Sequence, residues 1–286
     1  MPELPEVEII KQSLQKHIVS KKIMKLVVKN RNLRFKIQKN LKNILKGKKI
    51  VKLDRKSKYL ILNFDNNDFL IIHFGMSGTL HLIKKNNYKN TNLSFYHNKD
   101  LPEKHNHVEI IFSNFKLVYN DPRRFGFFKY FSSSENFMNY ISKIGPEPLD
   151  RKFCLAYLKK KVIKKNKNIK NFLLDQKYVS GIGNIYANEI LFKSNINPLK
   201  ISKFLKDKEL KKMIKFSKII IKKAIKRGGS TIRNFKNSTG KQGNYQKEFL
   251  VYDRENNVCP TDNCNRKIVK IFISNRSTYF CKICQK

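Results

Sequence analysis

The N-terminal residues carry the clearest potential for covalent chemistry. If the initiator methionine is removed, Pro2 becomes the first residue, and a terminal proline is a secondary amine. The pKa of this amine lies near the α-amino value of about 8, so more of it is neutral and nucleophilic at pH 7 than of a lysine. Condensation with a sugar carbon would give a cationic iminium that attracts electrons, and Glu3 could move the protons. The same residues also fit a plain helix start, with Glu3 and Glu6 at its positive end.

Four cysteines near the C-terminus form a second candidate site. They occur as a C-x4-C pair and a C-x2-C pair, on either side of residues 266–280, whose alternating apolar residues predict a two-stranded ribbon. Two such pairs at the ends of a ribbon predict a closed, tetrahedral four-thiolate Zn2+ site with a structural role. The predicted ligands are Cys259, Cys264, Cys281 and Cys284.

Composition favours a polyanion as the partner. The chain has 62 Lys and Arg against 21 Asp and Glu, a formal net charge of +41, which suits phosphate neutralisation. Part of this excess fits a coding bias towards lysine. No apolar run is long enough to span a membrane and no apolar signal region opens the chain, so we expect a cytoplasmic protein. An odd cysteine count in such a chain favours metal ligands over disulfides, and we interpret Cys154 as a core thiol.

Two glycine-containing segments predict rigid turns that project side chains. Met76 stands between Gly75 and Gly78, and Arg123 and Phe125 lie in the segment Asn120-Asp121-Pro122-Arg123-Arg124-Phe125-Gly126. Apolar and arginine wedges on rigid turns can unstack a base pair, and an enzyme that acts on a base must extrude it from the duplex. The alternative is that Met76 and Phe125 are core residues. Likewise, Lys58 at the start of an apolar strand fits an ordinary solvated lysine when it is considered alone.

The segment Gly181-Ile182-Gly183-Asn184-Ile185-Tyr186 does not fit a dinucleotide-binding loop. It follows a helical segment rather than a strand, and Tyr186 stands where a third glycine is needed. We interpret it as a tight turn in which Asn184 caps a helix and can hold a phosphate.

Hydrophobic periodicity predicts an α+β chain of several domains. An amphipathic helix over residues 5–18 precedes short strands with no helices between most of them, which indicates an antiparallel sandwich or barrel. Helices follow beyond residue 150, and β character returns from about residue 249. The strands are predicted at 22–28, 49–54, 59–64, 69–73, 107–112, 116–119 and 127–131, and the later helices at 153–162, 169–174, 184–193 and 208–225.

Taken together, these segments resemble the formamidopyrimidine-DNA glycosylase family of bacterial base-excision enzymes. The matching segments cover nearly the whole chain in order. They are PELPEVE, SKYL, HFGMSG, KHNHVE, NDPRRFG, IKNFLLDQ, GIGNIYANE, RGGSTIRNF and the terminal CxxCQK. One departure is the first cysteine pair, which has four intervening residues where the family commonly has two.

The resemblance implies an activity and a set of site residues. Pro2 is the expected nucleophile at C1′ of an oxidised purine nucleoside, Glu3 the acid/base partner, and Lys58 the lysine at the lesion's phosphate and sugar. Base release and β,δ-elimination would then cut the strand. The expected base-stack wedge is Met76, Arg123 and Phe125, and the expected DNA contacts are His105, Arg124, Lys170, Asn184 and Arg276. The stretch from Ser230 to Tyr245 is similar to the loop that closes over the everted base.

The resemblance also implies an N-terminal antiparallel β-sandwich flanked by helices, a helix–two-turn–helix domain and a zinc finger, with double-stranded DNA in the cleft between domains. We place the catalytic domain at 1–132, a helix and linker at 133–150, the helical domain with its lesion loop at 151–248 and the zinc finger at 249–286. We expect a monomer in the bacterial cytoplasm, associated with the nucleoid through DNA.

Three alternatives use part of the same features. An endonuclease VIII-like glycosylase would use the same terminal proline on oxidised pyrimidines, but the complete wedge favours the purine branch. A non-catalytic zinc-containing protein that binds damaged DNA would keep the charge, wedge and zinc without using Pro2 and Glu3. An RNA-binding zinc-ribbon protein would explain the charge but not the N-terminus.

Overall fold

The computed structural model describes residues 2–84, 87–92, 102–230 and 243–286, with the backbone alone for residues 84 and 87–92. The chain forms two compact units. Unit 1 comprises Met1–Ser142 and Arg227–Gln246, and unit 2 comprises Lys143–Lys226 and Lys247–Lys286. The segment after the longest helix therefore returns to the unit that contains the N-terminus.

Unit 1 contains two antiparallel sheets and three helices among its described residues. One sheet has the order β1-β7-β8-β5-β6 and the other β2-β3-β4-β9. The strands are β1 (Lys25–Val28), β2 (Ile50–Lys56), β3 (Tyr59–Phe64), β4 (Phe69–His73), β5 (Thr79–Lys84), β6 (Asn87–Asn92), β7 (Asn106–Ile111), β8 (Phe115–Asn120) and β9 (Phe127–Phe131). The helices are α1 (Leu4–Ile18), α2 (Leu41–Leu45) and α3 (Ser134–Ser142).

Alternating side chains build the core of unit 1. In β3, Leu60, Leu62 and Phe64 point to one face, and they join Val7, Ile10 and Leu14 of α1 in a single buried cluster. Because α1 covers this cluster with its apolar face, the N-terminus is fixed against the sheets rather than frayed.

Unit 2 is helical and ends in a small ribbon. Its longest helix, α7, packs against α4 and α6. The helices are α4 (Leu155–Val162), α5 (Ile169–Leu174), α6 (Asn184–Ser194) and α7 (Asp207–Lys226), and the ribbon strands are β10 (Val269–Ile273) and β11 (Arg276–Phe280). Within the described ranges, no helix combines the length and hydropathy that a membrane span requires.

The predicted fold class is confirmed, as are the N-terminal helix, the later helices, the ribbon and seven of the strands, with boundary shifts of up to three residues. Three elements were missed. Helix α2 has only five residues, too few for a clear period, and β6 (Asn87–Asn92) has the polar sequence NYKNTN. Strand β5 has the sequence TLHLIK and follows directly on Gly78, the last residue of the Met76 turn.

Candidate active site and metal centre

The N-terminus of α1 holds two buried carboxyl groups beside the buried Pro2. Glu3 is the N-cap residue of α1 in an extended conformation, and Pro5 lies in the first helical turn. The Glu3 backbone N–H donates to Glu6 Oε2 at 2.9 Å. Both carboxyl groups therefore lie at the positive end of the helix dipole, where a negative charge is stabilised.

Glu6 also connects the N-terminus to a distant part of the chain. Its Oε1 accepts hydrogen bonds from the Ser230 backbone N–H at 2.8 Å and from Ser230 Oγ at 2.9 Å. Gly229 has a φ of +81°, and a Cβ there would lie only 3.2 Å from Glu6 Oε1. This glycine therefore permits the close approach. Most of the predicted Ser230–Tyr245 loop lies outside the described residues.

The chain that flanks residues 231–242 is paired backbone to backbone. The Asn244 N–H donates to the Arg227 carbonyl at 3.1 Å, and the Tyr245 N–H donates to the Gly229 carbonyl at 3.2 Å. The two flanks of that segment therefore lie side by side, next to the N-terminal carboxyl groups.

Lys58 is buried, which excludes the interpretation as a solvated lysine. It lies in the turn between β2 and β3, and Ser57 before it has a φ of 57°. Arg55 fixes this turn: its Nη1 donates to the Ser57 carbonyl at 2.9 Å and its Nε to Glu8 Oε2 at 2.8 Å. Burial raises the pKa of Glu8, but hydrogen bonds from Lys11 and Arg55 outweigh it and leave the pKa below its ordinary value. The Glu8–Arg55 pair thus ties the lysine turn to α1.

His73, at the end of β4, is a further candidate site residue, which the sequence alone did not reveal. Desolvation by burial and the nearby charges of Lys58 and Arg34 lower its pKa to about 3, so it is neutral at pH 7. Its Nδ1 accepts a hydrogen bond from the Gly75 N–H at 3.2 Å, which leaves the ring proton on Nε2. Its ring stacks on Phe127 with centroids 5.1 Å apart. A single histidine at a strand end gives no signal of its own; its position directly before the Gly75 turn was the available clue.

The predicted wedge residues lie on exposed turns rather than in the core. Met76 is 40% exposed and Phe125 is 43% exposed, which excludes the interpretation as core residues. The Arg123 guanidinium lies over the Phe125 ring, 4.7 Å from its centroid. An arginine stacked on an exposed aromatic ring offers a broad apolar and cationic surface to a base stack.

Asp121 joins the two wedge turns. It is completely buried, and its Oδ1 accepts from Ser77 Oγ at 2.5 Å while its Oδ2 accepts from the Gly126 N–H at 2.8 Å and from Tyr119 Oη at 3.1 Å. Ser77 Oγ in turn accepts from the Arg123 N–H at 3.3 Å. One carboxylate therefore fixes the turn that carries Met76 to the turn that carries Phe125.

Glycine is required where these two turns touch. A Cβ at Gly75 would collide with the Phe125 backbone, and a Cβ at Gly126 would collide with Tyr119 and the His73 carbonyl. The separation of the turns is thus set by backbone contact, and side chains larger than hydrogen would force the wedge apart.

Two of the predicted phosphate contacts, His105 and Arg124, also surround Asp121. The His105 carbonyl accepts from the Asp121 N–H at 3.0 Å, and the Arg124 N–H donates to the Asp121 carbonyl at 3.1 Å. Arg124 is exposed and has a φ of 55°, so the turn holds its side chain in solvent. His105 is partly buried.

The predicted contacts in unit 2 converge on the ribbon. Lys170 is completely buried, and its Nζ donates to the Ser277 carbonyl at 2.8 Å and to Thr278 Oγ1 at 2.7 Å. Asn184 Nδ2 donates to the same Ser277 carbonyl at 2.9 Å. Arg276, one residue earlier, is exposed at the start of β11. Lys170 and Asn184 therefore hold the strand that presents Arg276.

Two interpretations from the sequence are wrong in unit 2. The N-cap of α6 is Gly183 rather than Asn184, which is the first helical residue and turns its amide towards the ribbon. Cys154 is the N-cap of α4 and is exposed, not a core thiol. In both cases the periodic pattern predicted the start of the helix to within two residues. An error of one or two residues at a helix start is enough to change whether a side chain caps the helix, packs in the core or faces solvent.

The four C-terminal cysteines form a compact cluster that could hold a metal ion. Their Sγ atoms all lie within 4.8 Å of one another, and the Cys259–Cys284 and Cys264–Cys281 pairs are 3.8 Å apart. Thiolates about 2.3 Å from a tetrahedral ion would be separated by about 3.8 Å, so the donor set fits a four-coordinate metal ion. The four-residue spacing in the first pair does not prevent this geometry.

A buried carboxylate attaches this metal module to α6. Glu189 accepts three successive backbone N–H groups, from Leu250 at 2.9 Å, Val251 at 3.0 Å and Tyr252 at 2.9 Å. Burial raises the pKa of Glu189, and the backbone hydrogen bonds oppose that rise. The neighbouring Asn188 Oδ1 accepts from the Tyr279 N–H at 2.8 Å. The module is therefore fixed to the same helix that carries Asn184.

Comparison with known proteins supports this arrangement across the whole chain. A formamidopyrimidine-DNA glycosylase N-terminal domain profile matches residues 1–128, and an H2TH domain profile of the same enzyme matches residues 144–236. Relatives named formamidopyrimidine-DNA glycosylase include those of Rickettsia bellii, 40% identical, and Neisseria meningitidis, 37% identical, each with 100% of both chains covered. A solved complex of Lactococcus lactis Fpg with DNA containing an abasic site has a TM-score of 0.86 and 34% identity, with 99% of both chains covered.

An N-terminal sandwich, an H2TH region and a four-cysteine cluster thus occur in this order along the chain. The chain belongs to the formamidopyrimidine-DNA glycosylase family, the bifunctional glycosylases and abasic-site lyases of base-excision DNA repair.

Proposed function

We propose that the protein removes oxidised purines, 8-oxoguanine and formamidopyrimidines, from double-stranded DNA and then cuts the strand at the resulting site. The observation that carries this proposal is the buried Pro2 directly before the Glu3 N-cap, in the unit that also contains the buried Lys58. Solved structures of Lactococcus lactis Fpg contain DNA with an abasic site or with Fapy-dG, which supports this class of substrate.

The proposed reaction uses the terminal amine as its nucleophile. After removal of Met1, the Pro2 nitrogen attacks C1′, the bond to the damaged base breaks, and the sugar ring opens to leave an iminium. Glu3 moves the proton to and from the sugar oxygen. The iminium acidifies the C2′ proton, whose loss expels the 3′ phosphate; a second elimination expels the 5′ phosphate. Addition of water to the remaining iminium releases the sugar fragment as an aldehyde and frees the Pro2 amine.

Lys58 and His73 would hold the phosphate and sugar of the damaged nucleotide. Lys58 supplies a positive charge, and the neutral ring of His73 supplies the Nε2–H donor that its Gly75 contact leaves available. A buried cation beside a departing phosphate stabilises the charge that develops in the elimination steps.

The wedge and the ribbon would position the DNA. Met76, Arg123 and Phe125 would fill the space that the everted base leaves, with Arg123 facing the orphaned cytosine. His105 and Arg124 in unit 1, and Asn184 and Arg276 in unit 2, would contact phosphates, and Lys170 would hold the ribbon strand for Arg276. One Zn2+ held by the four thiolates would stabilise the ribbon without taking part in the reaction. We expect the enzyme to act as a monomer.

Borohydride trapping tests the central step. Methionine-processed enzyme is incubated with a duplex containing one 8-oxoguanine opposite cytosine, with Pro2→Gly and Glu3→Gln variants in parallel. We expect a covalent adduct that maps to the N-terminal peptide in the native enzyme and weakens sharply in Pro2→Gly. For Glu3→Gln we expect base release to slow by about 100-fold or more, with DNA affinity retained.

Two other outcomes would contradict the proposal. Lesion binding without any adduct or cleavage would indicate a damaged-DNA-binding protein without catalysis. Efficient excision of oxidised pyrimidines, with 8-oxoguanine left intact, would indicate the endonuclease VIII-like specificity instead.

A further inference from the structure

Helix α7 of unit 2 carries a face of lysines along its length that the proposed active site does not use. Its apolar side is buried against α4 and α6, through residues that include Leu210, Met213 and Ile221. The exposed positions fall on the opposite side of the helix. The lysine face, as we call it, consists of Lys208, Lys211, Lys212, Lys215, Lys222 and Lys226, all exposed.

The lysine face is electrostatically uncompensated. Among the residues that the structure describes, none of its six ammonium groups lies within ion-pair distance of a carboxylate. The two acidic residues of α7, Asp207 and Glu209, lie in its first turn and pair with Lys159 and Lys200, outside the lysine face.

Several of these lysines repel one another along the helix. Lys208 precedes Lys211 and Lys212 by three and four residues, and Lys215 follows them at the same spacings. Like charges at such spacings destabilise a helix. The burial of the apolar face of α7 must therefore offset the repulsion between these lysines.

A coding bias towards lysine does not by itself explain the lysine face, because the surface helices α1 and α3 of the same chain have few exposed lysines or none. The fully exposed positions of α1 are Gln12, Gln15 and Lys16, and Lys11 beside them pairs with Glu8. Helix α3 contains no lysine at all in its sequence SENFMNYIS. Helix α4 does contain three lysines, at positions 159–161, and one of them, Lys159, pairs with Asp207. Lysine is thus not the exposed residue of every helix, and α7 differs from α4 in carrying six lysines outside any described ion pair.

We propose that the lysine face of α7 is a second DNA-contacting surface, which binds the phosphate backbone of undamaged double-stranded DNA. Helix α7 has 20 residues and is therefore about 30 Å long, with roughly one free cation per turn. A straight row of cations at this spacing complements the regular row of phosphates along a duplex, and each neutralised phosphate releases counterions.

A membrane surface fits the lysine face less well. A helix that lies in a membrane interface needs an exposed apolar face, and the apolar face of α7 is already buried in unit 2. In α7, all of whose residues the structure describes, Ile219 is the one large apolar side chain that is exposed, at 46%. This inference rests on the proposed action on DNA. It adds a contact that would keep the enzyme bound to double-stranded DNA that contains no lesion.

Charge-neutralising variants with a matched control test this surface. The first variant replaces five lysines of the face, Lys208, Lys211, Lys212, Lys215 and Lys222, with Gln. The control replaces five exposed lysines of unit 1, Lys21, Lys22, Lys25, Lys42 and Lys46, with Gln. Both variants lose the same charge, and Gln has a helix propensity close to that of Lys, so α7 should remain folded.

The measurement is the affinity for an undamaged, fluorescently labelled duplex as a function of salt concentration. Each lost phosphate contact lowers the log–log slope by about 0.9, so we expect the α7 variant to lose about 2 or more units of slope and at least about tenfold in affinity at low salt. The control variant should lose less than half as much. Single-turnover excision from a saturating short lesion duplex should stay unchanged in both variants.

Other results would overturn the inference. Equal losses of duplex affinity in the two variants would mean that only the net charge of the protein matters. No loss of affinity in either variant would mean that the lysine face is simply exposed to solvent. A loss of affinity for single-stranded RNA, with duplex affinity retained, would assign the face to another nucleic acid. Failure of the native enzyme to excise the lesion would instead contradict the proposed function, whatever the slopes.

Discussion

The sandwich of unit 1 and the ribbon of unit 2 are stabilised in different ways. A continuous apolar cluster drawn from α1 and both sheets fills the sandwich. Around the ribbon, by contrast, the described apolar cluster has six buried members, and two of them are the predicted metal ligands Cys259 and Cys281. The ribbon is too small to bury a large core of its own, so we expect it to depend on the proposed metal ion as well as on its polar contacts with α5 and α6.

Each region also contains a buried carboxylate, and the two serve different ends. Asp121 joins two turns of the sandwich that both carry exposed wedge side chains. Glu189 instead accepts three consecutive backbone N–H groups of a chain segment that leads into the metal module. The first arrangement sets the shape of a surface, and the second attaches the four-cysteine module to α6.

Metal removal should separate the two regions most clearly. Treatment with a strong chelator should unfold the ribbon, since structural zinc contributes on the order of 10 kcal/mol to modules of this size. Hydrogen exchange should then show loss of protection in β10 and β11, while β3 and β4 stay protected. Retained protection of the ribbon after complete metal removal would contradict its dependence on the ion.

Loss of the Glu189 carboxylate should have the next largest effect. In Glu189→Gln, one oxygen is replaced by an NH2 donor that faces backbone N–H groups, and we expect a loss of about 2–4 kcal/mol in the free energy of unfolding of unit 2. Asp207→Asn serves as the control, because its exposed pair with Lys159 should contribute less than about 1 kcal/mol. Equal destabilisation in urea titrations of the two variants would refute the role given to Glu189.

Asp121→Asn should weaken the wedge rather than the chemistry. One acceptor of the three-bond arrangement becomes a donor, at a cost of about 1–3 kcal/mol to the sandwich. Excision of 8-oxoguanine, which requires eversion of a base, should slow more than cleavage at a preformed abasic site. Ser77→Ala, which removes one donor, should show the same pattern more weakly. If both substrates slow equally, Asp121 has no specific part in positioning the wedge.

The smallest expected effect is a loss of stability of the sandwich at acidic pH, caused by protonation of His73. The folded state holds the pKa of His73 at about 3, below its unfolded value of about 6.5. Between these values the unfolded chain binds more protons, so stability is full above about pH 6.5 and decreases as the pH falls. From pH 7 to pH 5 we expect a loss of about 1–2 kcal/mol, and His73→Gln should abolish that part of the pH dependence in denaturant titrations.

Sequence patterns predicted the elements of this protein better than the contacts between them. Periods of 2 and 3.6 residues located α1, α7 and most strands, and cysteine spacing located the metal centre, because these signals are local. The burial of Lys58 and the lowered pKa of His73 depend on groups from several strands that meet only in the fold. No local pattern could pair Glu6 with Ser230 or Asp121 with Ser77.

The hydrogen bonds between Glu6 and Ser230 have a consequence for how the protein is made. The two residues are 224 positions apart in the chain. At about 5–20 residues per second, synthesis on the ribosome needs roughly 11–45 s to cover that distance, and folding proceeds from the N-terminus meanwhile. The carboxylate beside the proposed nucleophile therefore acquires its last partner only when most of the chain has been translated. A nascent or truncated chain that ends before Ser230 would lack this contact, so the N-terminal site is completed late in the life of each new molecule.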